Sequence, residues 1–265
     1  MKKRYYCLLF VGLSLCASMA GCKERKETEY KQQQSLEQGK DAVECDSNSF
    51  AFFISQLPVK ETQEVRLYDG TVETHSFVSG VYDTDFGSNA NEQCADAVIY
   101  LYAKYLWTQK RYDEIKFHFV SGFLAEYKKW AEGYRIVDNR RWVKNAQTDY
   151  SYTTFRKYLN KVFDFANTAS LYEEMTGIAD WKNQLQIGDI FITPGFPGHT
   201  AMVVDIRNDK DGNQEFRLAQ GFMPAQQIEI LKDWFSLKMC PCGLPTPRYL
   251  FYNNEKPIVK RWKNL

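Results

Sequence analysis

Apolar residues recur at helical spacing in two stretches of the chain and at alternate positions in several others. Cys94, Ala97/Val98, Leu101/Tyr102 and Tyr105 fall on one face of a helix, the three-and-four spacing of a buried stripe. Tyr152, Phe155, Leu159, Val162/Phe163 and Ala166 repeat the pattern. A short apolar helix is expected from Ser49 to Leu57 and another from Phe123 to Glu132. Ser88-Asn89-Ala90-Asn91-Glu92 is rich in cap formers, and Asn89 with Glu92 fits a capping pattern just before Cys94.

Strands are predicted at Glu64 to Tyr68, ending in the Asp69-Gly70 turn, at Ser76 to Tyr82 and at Ile115 to Val120. Arg135 to Val143 reads as a hairpin around Asp138-Asn139. The clearest β unit is Gln186 to Asp205: Ile190 to Thr193, a turn from Pro194 to Gly198, then His199 to Asp205. Phe216 to Gln220 and Ile228 to Leu231 follow as strands. Helices first and a consecutive antiparallel meander later predict an α+β fold.

The first residues follow another logic. Lys2-Lys3-Arg4 precedes a short apolar run from Tyr5 to Leu15, and Met19-Ala20-Gly21 leads directly into Cys22. The run is too short to span a bilayer comfortably and reads as a cleaved export signal over residues 1–21. Small residues ending at a cysteine resemble the bacterial lipobox, which implies lipidation of Cys22 and a membrane attachment through that lipid. Residues 22–46 are polar and charged and read as a tether. As a flexible coil the tether would reach on the order of 25–30 Å. Residues 47–265 then form a single domain. The expected location is the bacterial envelope, at the outer membrane and facing either the periplasm or the surface.

Loss of residues 1–21 removes three basic residues and no acidic ones, which takes the net charge from +1 to −2. A nearly neutral chain without a basic stripe is a poor nucleic-acid binder. Besides Cys22, the mature chain carries Cys45, Cys94, Cys240 and Cys242. Cys240-Pro241-Cys242 is too tight to bridge easily on itself; a bridge from Cys45 to that region stays open. None of the three histidines, His75, His118 and His199, flanks the Cys-Pro-Cys. No metal site or cofactor is expected.

Cys94 at a helix start and His199 at the head of a strand are the residues that can carry chemistry. A helix N-terminus favours thiolate over thiol, so the Cys94 thiol is expected well below its reference of about 8.5. His199 would be the base. Alternation puts Ala201, Val203 and Asp205 on its face, and Thr200, Met202 and Val204 on the other. Asp205 lies about 20 Å along the strand, too far to orient the ring, and Asp189 is also distant. Gln220, at the end of the next strand, is the expected orienter. Gln93, with the Cys94 backbone N–H, is the candidate oxyanion donor, and Asp96 serves the helix N-terminus. Cys94 equally fits a core thiol, or one oxidised to Cys45.

EQCADAVIYLYAKYLW, DYSYTTFRKYLNKVFDFANTASL, IGDIFITPGFPGHTAMVVD and LAQGFMPAQ together resemble an uncharacterised group of Bacteroidota lipoproteins, domain-of-unknown-function family 4846. More distantly, Gln93-Cys94 and Gly188-Asp189 followed by Gly198-His199 resemble the papain-like cell-wall amidases of the CHAP and NlpC types. That likeness implies a papain-like fold, with a cysteine-bearing helix packed on an antiparallel meander. It also implies Cys94 as nucleophile, His199 as base and Gln220 as orienter, acting on cell-wall peptides. The long spacing between Cys94 and His199, and Ala95-Asp96-Ala97 after the cysteine, depart from those enzymes. The rival expectation is a peptide- or glycan-binding lipoprotein on the same fold. Aromatic side chains such as Trp142, Tyr150, Tyr152 and Phe196 would then supply stacking surfaces.

Overall fold

Ser49 starts the first helix because its hydroxyl accepts the Phe52 backbone N–H at 3.1 Å, one of the donors a helix start leaves unmet. That helix, α1 (Phe50–Ser55), buries Phe50 and Ile54. A computed structural model describes residues 46–195, 198–237 and 258–265, all within one compact unit. The remaining helices are α2 (Cys94–Thr108), α3 (Tyr127–Ala131), α4 (Tyr152–Phe163), α5 (Thr168–Glu174) and α6 (Trp181–Gln184). Among the described residues, no helix is long and apolar enough to cross a membrane.

The main sheet is antiparallel. Its strands are β1 (Val59–Lys60), β2 (Val78–Tyr82), β3 (Thr176–Gly177), β4 (Ile190–Thr193), β5 (His199–Asn208), β6 (Gln214–Gln220), β7 (Glu229–Leu231), β8 (Phe235–Ser236) and β9 (Ile258–Arg261). Their spatial order is β1-β2-β7-β6-β5-β4-β9-β3, and β8 pairs with β6. The consecutive meander β4-β5-β6-β7 forms its centre, so the α+β expectation holds.

Strand alternation divides the interior in two. Ile190, Ile192, Met202, Val204 and Ala219 pack against α1, α2, α4 and α5 in the larger core. Phe191, Ala201, Val203, Phe216 and Leu218 form a second core on the opposite face, with Trp181 of α6 against it. The middle helix α2 is buried along nearly its whole length, from Ala95 to Leu106. Ser151 caps α4 by accepting the Thr154 N–H at 3.3 Å, and Phe155, Tyr158, Leu159 and Val162 face inward.

Two local expectations need correction. Phe123 to Glu132 is not one helix: Leu124–Glu126 is a strand paired with Lys116–His118, and only Tyr127–Ala131 is helical. Gly122 turns the chain there at φ 84°, a conformation that glycine reaches without cost. The alternation from His199 also breaks at a bulge between Val203 and Asp205. Past that extra residue the phase reverses. Asp205 therefore pairs with Arg217, and Ile206 joins the face of Ala201 and Val203. The hairpin at Asp138-Asn139 forms as expected, between Tyr134–Val137 and Arg141–Lys144. Both turn residues adopt positive φ, 52° and 56°.

Candidate functional site

The chain in front of α2 is held by one carboxylate. Glu92 is fully buried. Its Oε2 accepts the backbone N–H groups of Gly87 at 2.7 Å, Ser88 at 2.8 Å and Asn89 at 3.2 Å. Its Oε1 accepts Asn89 Nδ2 at 3.2 Å and pairs with the Arg156 guanidinium from α4. The expected helix cap by Asn89 and Glu92 is thus corrected: Glu92 folds a loop. The N-cap is Gln93, whose N–H donates to Asp96 Oδ2 at 3.0 Å. This places Gln93 immediately before the thiol, and both are half-buried.

The helix start reaches an opening in the sheet. The β5–β6 ladder stops at Met202 opposite Ala219, while β5 extends back to His199 and β6 on to Gln220. Gly221 follows at a point where a Cβ would lie 2.9 Å from the Gln93 carbonyl oxygen and 3.0 Å from Ala97 Cβ. Glycine here lets β6 touch the first turn of α2. The Cys94 thiol comes against the Thr200 backbone N–H.

His199 is buried, with Thr193 as its partner on β4. By alternation its side chain stands on the face of Ala201 and Val203, whereas α2 packs on the face of Met202 and Val204. Thiol and imidazole therefore reach the same end of the sheet from its two faces, with the Thr200 peptide unit between them. Gly198 permits the approach of α5 here, since a Cβ would meet Thr168 Oγ1 at 2.2 Å. The Phe222 ring lies edge-on to the imidazole at 5.4 Å.

Gln220 meets His199 as expected, with Oε1 2.7 Å from Nε2. The amide is oriented from behind, because Gln220 Nε2 donates to Glu229 Oε1 at 2.7 Å. Its oxygen is then the atom that faces the ring, so His199 Nε2 must carry the proton and Nδ1 is the acceptor nitrogen. Glu229 Oε2 in turn lies 3.3 Å from His75 Nδ1, and His75 Nε2 lies 3.0 Å from Glu73 Oε2. Sequence reasoning missed Glu229, His75 and Glu73. One signal was readable: Glu229 stands between Ile228 and Ile230, a lone acid inside an apolar strand. Asp189 is engaged elsewhere, accepting Arg261 at 2.6 and 2.9 Å.

The electrostatics depart from the expected low-pKa thiol. Burial pushes the Cys94 thiol up to about 11, and the neighbouring Asp96 carboxylate adds to the rise. The backbone N–H groups of Ala95, Thr200 and Cys94 favour thiolate but are outweighed. Burial likewise lowers His199 to about 4, against the smaller opposing effect of the Gln220 bond. At neutral pH the resting pair is a thiol and a neutral imidazole. Asp96 is itself held well above the usual carboxylate range by burial, and its Oδ1 has no hydrogen-bond partner among the described residues. Cys22, Cys45, Phe196, Cys240 and Cys242 lie outside the described residues.

The model of the family described as Domain of unknown function (4846) matches residues 31–256, and the chain belongs to that family. No curated protein and no solved structure matches it.

Two titrations follow from these shifts. Asp96→Asn removes the nearest negative charge yet keeps an acceptor for the Gln93 N–H. Read from thiolate absorbance against pH, the Cys94 thiol should then fall below about 11, because a neighbouring like charge disfavours thiolate. An unchanged titration would show that burial alone sets the value. For His199, the unfolded chain takes up its proton near 6.5 and the folded chain only near 4. Stability conferred by the neutral ring is complete above 6.5 and is lost as pH falls toward 4, by about 3 kcal/mol. Urea unfolding at pH 7 and pH 4 should show that loss in the wild type and a smaller one in His199→Asn. Equal losses in both proteins would refute it.

Proposed function

We propose that this chain is an envelope lipoprotein carrying a papain-like cysteine amidase or peptidase domain, which acts on cell-wall peptides or a related envelope substrate. One observation carries the reading: Gln220 fixes His199 with its proton on Nε2 and its lone pair on Nδ1, one residue from the peptide N–H that meets the Cys94 thiol. A general base needs a lone pair that is available and within reach of the proton it takes, and the Gln220 bond supports the first of these. The order of helix start, strand head and polar neighbour on the next strand supports the likeness to CHAP- and NlpC-type amidases.

In the proposed reaction the imidazole first has to reach the thiol past the Thr200 peptide unit that separates them at rest; Cys94 Sγ then attacks the amide carbonyl as His199 Nδ1 takes the thiol proton. The new C–S bond forms a tetrahedral oxyanion, held by the Cys94 N–H and the Gln93 side chain. Collapse breaks the C–N bond, and the imidazolium gives its proton to the leaving amine. Water, deprotonated by the same ring, then cleaves the thioester and restores the thiol. With a thiol near 11 and an imidazole near 4, proton transfer in the resting site would cost about 10 kcal/mol. The proton must therefore move as the C–S bond forms, with bound substrate altering the surroundings of both groups.

That same cost, and the approach of thiol and ring from opposite faces of the sheet, favour a second reading, a non-catalytic peptide- or glycan-binding lipoprotein in which Cys94 is a half-buried structural thiol. Cleavage of cell-wall peptide fragments decides between them. As an enzyme, the wild type should release product, and Cys94→Ser and His199→Ala should each lower the rate by at least roughly 100-fold. Retained cleavage in both variants would exclude the pair as the catalytic groups. No cleavage by the wild type, together with Cys94 alkylation unchanged in His199→Ala, would leave the binding reading.

The envelope location rests on Met19-Ala20-Gly21-Cys22 after a short apolar run. Cys22→Ala should release the protein from the membrane fraction or stall its processing. Normal cleavage and unchanged membrane fractionation of that variant would contradict lipidation.

A further inference from the structure

The polar chain that begins at His199 does not end at Gln220. Gln220 and Glu229 are direct partners across β6 and β7, and both are buried, with 2% and 1% of their surface exposed. A glutamine amide has nearly equal shapes in its two flipped orientations, and only its hydrogen-bond partners select one. Glu229 Oε1 accepts from the Gln220 NH₂ and so forces the amide oxygen toward His199. The second carboxyl oxygen of Glu229 faces His75 Nδ1. His75 is itself held between Glu229 and Glu73, and its ring stacks on Phe77 at 4.9 Å.

We infer that Glu229 and His75 are positioning residues of the candidate site: they hold the Gln220 amide so that His199 keeps its proton on Nε2 and its acceptor lone pair on Nδ1. The inference rests on the reading of His199 as base, but its observable does not. An amide neither gains nor loses a proton readily, so the chain transmits orientation and does not conduct protons. Each residue does one thing. Glu229 orients the amide, and His75, in the chain just before β2, stops the Glu229 carboxyl from turning away. Glu73, half out in solvent, fixes the far nitrogen of His75.

The test is long-range ¹H–¹⁵N correlation of the histidine rings in the full-length protein, with signals assigned through His75→Asn and His199→Asn. The wild type should show His199 almost wholly as the Nε2–H tautomer. Glu229→Leu removes the acceptor for the Gln220 NH₂, and the Nδ1–H form of His199 should rise at least tenfold. Glu229→Gln can still offer an amide oxygen to Gln220 and should keep most of the Nε2–H form. His75→Ala changes a residue outside the strands that is not fully buried, so it reports even where Glu229→Leu fails to fold. It should give a smaller rise in the same direction. An unchanged His199 tautomer in His75→Ala and in whichever Glu229 variant folds would overturn the inference, whatever the activity. The predicted tautomer shift in a protein that cleaves nothing would instead retain the positioning role and remove the hydrolase reading.

Discussion

The candidate site depends on one buried carboxylate. Glu92 gathers three consecutive backbone N–H groups, from Gly87 to Asn89, and is closed off by Arg156. An ionised group at 0% exposure is costly unless every lone pair is taken and a countercharge is near. Here both conditions are met, and the result is a rigid loop that delivers the chain to Gln93 at a fixed angle. Arg156 also pairs with Asp85 at 3.1 Å, and Asp85 accepts Tyr100 of α2 at 2.6 Å and Tyr152 of α4 at 2.7 Å. Loop, central helix and outer helix are thus tied through the same ions. Glu92 thus adds a fixed entry angle to the packing that already brings the first turn of α2 against Gly221.

Once α2 is placed, desolvation decides the chemistry. Three backbone N–H groups around a thiol at a helix start would ordinarily make it acidic. The site is also dry and carries Asp96 next door, and these effects win. The same dryness keeps His199 neutral. The two groups are therefore mismatched in proton affinity, and they reach the same end of the sheet from its opposite faces. Thiol and neutral imidazole are the resting forms, and no ion pair joins them among the described residues.

Much of the scaffold was legible because hydrophobic period and turn chemistry agree there. The helix from Cys94, the helix from Tyr152, the Asp138-Asn139 hairpin and the meander from Ile190 to Leu231 all combine a clear period with a cap or a turn. The failures occur where a local rule had a competitor. Asn89 and Glu92 satisfy a capping pattern, yet tertiary contact with Arg156 turns Glu92 inward. The apolar positions after Phe123 suit a helix or a strand, and Gly122 settles the matter for the strand. The bulge after Val203 leaves no mark in the alternation before it, so Asp205 was assigned to the wrong face. Gln220 was found because chain order and strand adjacency sufficed. Glu229 and His75 required knowing that β2 lies beside β7, a pairing of segments about 150 residues apart that no local pattern encodes.

The choice of an amide beside His199 follows from what a buried imidazole can tolerate. A carboxylate in direct contact would hold the ring proton more strongly and raise the ring's affinity for a second proton. An amide orients the ring with little added charge, and it needs its own oxygen and nitrogen distinguished. Glu229 supplies that distinction from one residue further away. The two buried acids near the meander thus serve different ends. Asp189 binds Arg261 and so fastens the C-terminal strand to β4. Glu229 spends its oxygens on Gln220 and His75, with no arginine or lysine in hydrogen-bond contact among the described residues. A scaffold acid is secured by a cation; an acid whose partners are an amide and an imidazole, at the back of a buried histidine, serves to set direction.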